Sequence, residues 1–526
     1  RSVTRAKDQE APTATRGEQT KDRSVVFDTT SVEVAWTARD NDKIAQAWIQ
    51  DTLVVSDASG YHRRVPLVVG RQWIRFRAVD PAGNEFRDSV SVERLMDTVK
   101  SVQISDTNGK LRSGSFWVKL SCATAGATIR YTLDGSEPKA TSAIFADSIK
   151  IDTTITLKAR AFAVGRVDGP VVSQAYQLAV PVKVIGGFAH TLVIMSDSTL
   201  WGFGESNCNA LGFGSGCQMS DRPQLSPVRI DSGVIQATSG NSQTIWLKAD
   251  GTMWAVGWNS NGSLGAGVVG TVLSPTLIAR GVAKIRGYET ASGRKSTLVL
   301  KLDGTLWGAG SNASGQLGAG EQSSTSQLVK VAEGVLDIGG GCDFGYFLKK
   351  DNSLWGMGVF APLGLNSSIP VKVMDSVEKI PERVVKSLFL VKKSGVILAG
   401  GDNEFGQLGL GHQNPVTGMV EVSAFKGISL RSIQPGQEHT IFHLSDGSVQ
   451  GFGHNLYGQI AGDQIASEFI LNPLEIYRDA KDVSVGWCTS YVILKNDVLV
   501  AFGGNDRGQL GGGTVSVNPQ KIFVKF

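Results

Sequence analysis

The chain has 526 residues, too many for one hydrophobic core, so three or four domains are expected. Its formal net charge of +4 is small for that length and gives no general electrostatic case for nucleic acid as a partner. No apolar run reaches the roughly 18 residues that a membrane-spanning helix needs, and the 63 glycines, well above the usual share of about 7%, point to many tight turns between short strands.

Residues 1–23 are polar and charged without apolar periodicity, and are expected to be a disordered tail or linker. The chain starts at Arg1 rather than Met, which suggests a processed product or fragment whose signal peptide would be gone. Residues 24–96 then alternate. Ser31-Val-Glu-Val-Ala-Trp36 and Gln72-Trp-Ile-Arg-Phe-Arg-Ala-Val79 each place apolar side chains on one strand face. Asp80-Pro-Ala-Gly-Asn84 is a turn cluster between strands. With Ala78-Val-Asp-Pro-Ala-Gly-Asn84 near its end, the segment resembles the bacterial immunoglobulin-like modules of surface proteins. Asp40, Asp42 and Asp80 offer oxygen ligands of the kind calcium takes, but their spacing completes no ligand set. They are read as turn carboxylates, and neither a metal nor a cofactor is expected.

Residues 97–181 form a second β module. Ala127-Thr-Ile-Arg-Tyr-Thr-Leu-Asp-Gly-Ser-Glu-Pro138 reads as a strand running into an Asp-Gly turn, and Lys150 to Phe162 as one or two alternating strands. These stretches resemble the small β-sandwich at the C-terminus of chitobiase and β-hexosaminidase enzymes. In that family the module is accessory and carries no catalytic residue, so the resemblance implies a bacterial, exported, multi-module protein without supplying chemistry. Alternation places Cys122 with Val118 and Leu120, as a buried structural thiol.

From 182 to 526 one unit recurs. Aligned on the Leu of a Leu-Gly pair, its copies centre on Leu211, Leu264, Leu317, Leu363, Leu408, Ile460 and Leu510, with steps of 45 to 53 residues. A glycine stands seven places earlier in six copies: Gly204, Gly257, Gly310, Gly401, Gly453 and Gly503. An asparagine stands five places earlier in five copies, from Asn259 to Asn505, and the Leu363 copy lacks both. Each unit reads as a strand, a two-residue turn such as Asp250-Gly251, a second strand, a Gly-x-x-Leu-Gly-x-Gly loop, and often a Pro-led strand. A period of roughly 50 residues marks a unit that cannot bury its own apolar face. Seven such units make an all-β, seven-bladed β-propeller behind two β-sandwich modules. The terminal strand Pro519-Gln-Lys-Ile-Phe-Val524 looks spare, and is expected to pair beside the first unit and close the ring.

Gly436-Gln-Glu-His-Thr440 with Asp446-Gly447, and Asp303-Gly-Thr-Leu-Trp307 with Gly315-Gln-Leu-Gly318, resemble the regulator of chromosome condensation repeat over about 345 residues. The repeated Trp201, Trp254, Trp307 and Trp355 could tempt a sugar-stacking reading. Their fixed place in the unit makes them packing residues, and the repeat Gly and Asn are turn chemistry.

The place of the repeat's His is filled by His190, Gln243, Ser296, Phe344, Ser387, His439 and Thr489, a ring expected near the central channel. Two histidines give no symmetric metal site. The loops just before this ring vary, and such variation on a rigid frame is how a propeller displays a binding face. Phe188, Asn241, Arg294, Asp343, Lys386, Gln437 and Trp487 are the candidate binding residues, with Trp487 and Arg294 of interface-anchoring type. Cys208 and Cys217 flank the first Leu-Gly loop as a candidate disulfide, while Cys342 and Cys488 are expected to be free.

No nucleophile elbow, phosphate-cradling loop or His-Glu metal motif is present, so no enzyme is expected. The expected role is non-covalent binding of a protein or polysaccharide at the bacterial cell surface or in the medium, with the sandwiches as spacers, alone or in a larger surface assembly. A secreted protein inhibitor acting through one propeller face is the alternative. Guanine-nucleotide exchange, known in the repeat family, is remote, because no unit carries the inserted wedge that this activity uses.

Overall fold

A computed structural model of the chain describes residues 13–16, 31–39, 44–57, 60–94, 96–107, 115–213, 223–240, 242–289, 295–341, 343–381, 384–460 and 467–526. It divides into two compact units, residues 1–110 with 116–177, and 111–115 with 178–526.

The first unit holds two β modules. In the first, two four-stranded sheets face each other and bury Trp36, Ile49, Ile74, Phe76 and Val90 between them. Trp36 stacks on Phe76 at 5.1 Å and donates its indole N–H to Asp88. The expected tail is not wholly irregular: Thr13–Arg16 pairs antiparallel with Ser31–Arg39, because the edge of that strand offers unpaired backbone groups. Asp80 is buried and accepts hydrogen bonds from the backbone and side-chain nitrogens of Asn84, both at 2.7 Å. It therefore caps its own turn. Asp40 and Asp42 lie outside the described residues, and no metal-binding group occurs among those described. In the second module the sheet order Ala143–Ile144, Thr128–Thr132, Ile155–Phe162, Val172–Tyr176 covers a core of Val118, Ile129, Ile149, Leu157 and Tyr176. Cys122 is only half-buried, a correction to its expected place. It ends a three-residue strand, and its Sγ reaches the Lys100 carbonyl at 3.3 Å.

The second unit is seven successive four-stranded antiparallel sheets. Blades 1 to 7 span 181–231, 234–279, 282–332, 335–374, 377–421, 430–477 and 480–524. In each blade the strands pair in chain order, and the first strands line the central channel. The second strands carry the most buried runs, such as His190–Met195, because they are covered by neighbouring strands within the blade and by the next blade on either side.

Three expectations about the repeat are corrected. The C-terminal strand does not cross to blade 1: Ser516–Val524 pairs with Leu499–Asn505 in blade 7, and blade 1 owns its outer strand, Gln224–Asp231. Side chains close the ring instead. Val184, Val193 and Phe203 of blade 1 share one core with Tyr491, Ile493 and Leu510 of blade 7. Asp482 and Ser484 accept the Val184 and Gly186 N–H groups, each at 3.0 Å. Secondly, the Asp-Gly turn spans three residues. Leu247 pairs with Met253, Lys248 N–H donates to the Thr252 carbonyl, and Gly251 takes a left-handed φ of 77°. This is the type I turn with a following left-handed residue that a three-residue hairpin favours.

Thirdly, the reference leucine of blade 4 is Leu365, not Leu363. In blades 1 and 3 the repeat Leu packs over the glycine nine places before it, Leu211 over Gly202 and Leu317 over Gly308, and in blade 4 Leu365 packs over Gly356. Leu365 is buried, whereas Leu363 lies in a short 3-10 turn and is half-buried. With Leu365 as reference, Gly358 stands seven places earlier with a φ of 95°, so the seventh glycine exists. Phe360 takes the place of the asparagine and stacks at 4.1 Å on Phe344, which fills the His place. An apolar pair there replaces the polar loop.

Candidate functional site

The loops between first and second strands and those between third and fourth strands emerge on the same face of the ring. The second set is held by two side chains of the repeat. The asparagine Oδ1 accepts the N–H of the residue five places on, as in Asn312 to Leu317 at 2.8 Å, Asn403 to Leu408 at 3.0 Å and Asn455 to Ile460 at 2.9 Å. The glutamine of Gly-Gln-Leu-Gly accepts through Oε1 the N–H two places earlier: Ser314, Phe405 and Tyr457 at 2.9 Å, and Arg507 at 2.8 Å. In blades 3, 5, 6 and 7 two fixed hydrogen bonds therefore set the backbone of one freely varying side chain. This second ring of displayed residues was missed from the sequence. Its only signal there is variation between an Asn and a Gly that recur together in five of the seven copies.

The His ring is structural. All seven positions are buried. His190 Nε2 meets Ser239 Oγ at 2.8 Å and Thr244 Oγ1 at 3.1 Å in blade 2, and His439 Nε2 meets Ser490 Oγ at 2.9 Å in blade 7. The next residue ties the other way. Thr191, Thr440 and Ser490 hydroxyls donate to the carbonyls of Gln509, Gln407 and Gln459 in the preceding blade. The His-Thr dipeptide thus staples three blades, and the channel wall belongs to the first strands. The repeat tryptophans are fixed similarly. In blades 1 to 4 the indole N–H of Trp201, Trp254, Trp307 and Trp355 donates to the hydroxyl two residues before it at 2.8–3.0 Å.

The structure brings together two of the seven candidate binding residues. Phe188 and Trp487, from the first loops of blades 1 and 7, meet at 3.7 Å between ring centroids. The Arg507 guanidinium lies over Phe188 at 5.6 Å and pairs with Glu205. Phe188, Trp487 and Arg507, together with Tyr457, Cys488, Gly504, Asp506 and Gln509, line a cavity of 200 Å³ at the seam. The patch continues along blade 6, where His454 sits 5.0 Å from Phe405 and 5.8 Å from Phe469 and bonds Glu438 Oε2 through Nδ1 at 2.8 Å. Burial opposes ionisation of Glu438, but hydrogen bonds from His454 and Trp487 outweigh it and hold the carboxyl below its ordinary range. The three other described candidates lie apart. Gln437 is half-buried. Asp343 accepts from Ser314 Oγ at 3.0 Å, and Lys386 is exposed beside Asp402 at 3.4 Å. Asn241 lies outside the described residues, as does Arg294, one of the two expected anchors.

Cys208 is disulfide-bonded, while its expected partner Cys217 lies outside the described residues, as does Cys342. Cys488 is free, as expected. Burial, then the carboxylates of Glu438 and Asp506, push its thiol up to about 12. At pH 8 only about one molecule in 10⁴ would carry the thiolate. Iodoacetamide is therefore expected to leave Cys488 unmodified in the folded protein and to label it in urea, as read by peptide mass spectrometry. Rapid labelling in the folded state would contradict this environment.

Residues 108–173 match the chitobiase/beta-hexosaminidase C-terminal domain family. The ultraviolet-B receptor UVR8 of Arabidopsis thaliana is 26% identical over 367 residues, which is 66% of this chain and 82% of that receptor. The regulator of chromosome condensation of Mus musculus is 23% identical over 349 residues, 59% of this chain and 81% of that protein. Among solved structures, Prp20p from Saccharomyces cerevisiae superposes with a TM-score of 0.52 at 16% identity, covering 63% of this chain and 87% of that one. The resemblance read from the repeats is thus matched in relatives and in fold.

Proposed function

We propose that this chain is a non-enzymatic binding protein that grips a protein partner with the loop face of its propeller, at the seam of blades 7 and 1. The observation that carries this reading is the Phe188–Trp487–Arg507 cluster around its cavity. Arg507 sits on backbone fixed by the Asn505 and Gln509 side chains, and the Trp487 N–H donates to the Gly187 carbonyl across the seam, so little entropy is lost when a partner docks. The similar proteins are named a receptor and a regulator, and Prp20p was described with its binding to Gsp1p and histones, which supports a protein as the class of partner. A setting outside the bacterial cell is part of the proposal. The bonded Cys208 supports an oxidising compartment, and the chitobiase-type module supports export, with both sandwiches as spacers.

The test is a pull-down with the full chain from the producing organism's envelope and medium, against the Trp487→Ala/Arg507→Ala double variant, with folding checked by circular dichroism. A discrete protein retained by the parent and weakened at least about 30-fold by the variant, the loss of roughly 2 kcal/mol expected of a hot spot, supports the reading. Retention on insoluble polysaccharide alone, or a partner bound equally by both, overturns it.

A further inference from the structure

The central channel contains a second cavity, of 480 Å³, far from the loop seam in character and independent of the reading above. Its wall is built from the first strands of blades 1, 2, 3, 6 and 7. Three cationic side chains line it, Lys183, Lys284 and Arg286, and no carboxylate does. Lys284 is already matched by Asp337 of blade 4 at 2.5 Å.

Arg286 is not matched. It is 8% exposed, and among the described residues its one hydrogen bond is from Nη1 to the carbonyl of its own neighbour Ile285 at 3.0 Å. Its Nε is buried with no partner. A guanidinium stays charged at any pH the protein meets, and a buried charge with one neutral acceptor is costly unless something anionic reaches it. Gln434, 7% exposed, faces the same cavity with a side-chain amide that makes no hydrogen bond among the described residues. A fork of fixed donors beside an amide, in a polar chamber whose lining holds no carboxylate among the described residues, has the chemistry of an oxyanion site.

We propose that the channel binds an oxyanion, the phosphate, sulfate or carboxylate group of a small ligand, with Arg286 as its principal partner and Lys183 and Gln434 completing the cradle. Planar guanidinium donors fit two oxygens of one such group at once, which a lysine in the same place could not do.

Inorganic phosphate, sulfate and citrate are the probes, each titrated into the full chain against chloride of equal ionic strength and followed by thermal unfolding and calorimetry. Saturable binding is expected for at least one oxyanion, with a rise in Tm that chloride does not give. The rank of phosphate, sulfate and citrate identifies the group. Arg286→Gln should raise the half-saturating concentration at least 10-fold. Lys183→Gln, at a half-buried position less demanding of the fold, should raise it by a smaller factor. No saturable heat with any of the three, or unchanged binding in both variants, would overturn the proposal. Loss of loop-face binding in the seam variant leaves this result untouched, so the two readings fail separately.

Discussion

Gly503→Ala is expected to destabilise the propeller by about 4 kcal/mol or more, among the largest effects of any single-methyl addition in the chain. The residue has a φ of 117°. An added Cβ would overlap the Cys488 carbonyl oxygen and lie 3.0 Å from the Thr489 Cα. Both neighbours are backbone at the start of the second strand, where the residues pair directly across from the glycine. Neither can rotate away. Gly257 repeats the arrangement, with a φ of 107° against the Ser242 carbonyl. Gly334→Ala is the control. It has a φ of 67°, and no atom lies within 4 Å of its added Cβ. Left-handed strain alone should then cost about 1–2 kcal/mol. Scanning calorimetry of the three variants beside the parent measures the difference. Equal losses at Gly503 and Gly334 would show that the close approach of backbone is not what selects glycine.

Acidification should weaken the fold through His190. Burial, and then the charge of Lys295, lower its pKa from 6.5 to about 3. Nε2 is taken by two hydroxyls and Nδ1 has no partner, so an added proton would meet no acceptor. The unfolded chain binds that proton below pH 6.5 while the folded one does not. Stability from this group is therefore complete above about pH 6.5 and falls as the pH drops toward 3, by about 2 kcal/mol at pH 5. His443, whose pKa burial also lowers, acts in the same direction. Blade 2 supplies the neutral substitute. Gln243 fills the same place and accepts from Ser263 Oγ at 3.0 Å. His190→Gln should flatten the difference in urea stability between pH 7.5 and pH 5 by about 2 kcal/mol. An unchanged difference would mean that His190 is not held neutral.

Much of the architecture was legible in the sequence because a propeller is periodic. Seven copies of one unit expose every demand that the unit makes. The glycines at Gly204, Gly257, Gly310, Gly401, Gly453 and Gly503 all have φ between 103° and 118°. Asn and Gln recur because each closes the same loop, and Trp because its indole N–H needs the same hydroxyl. Where one blade broke the rule, sequence alignment followed the letters and missed the packing. Leu363-Gly364 imitates the motif, but only Leu365 is buried over a glycine.

The sequence by itself determined the all-β class, the seven units and the turn chemistry, since these rest on local φ preferences and on an apolar pattern that each blade must satisfy with its neighbours. Tertiary structure alone decided how the ring closes, where Phe188 and Trp487 meet across a separation of 299 positions in the chain, and that Arg286 is buried without a carboxylate partner among the described residues. Those facts arise where blade 7 returns to blade 1 and where seven first strands converge on one axis. A local pattern carries no information about such contacts, because they are made between residues that only ring closure brings together.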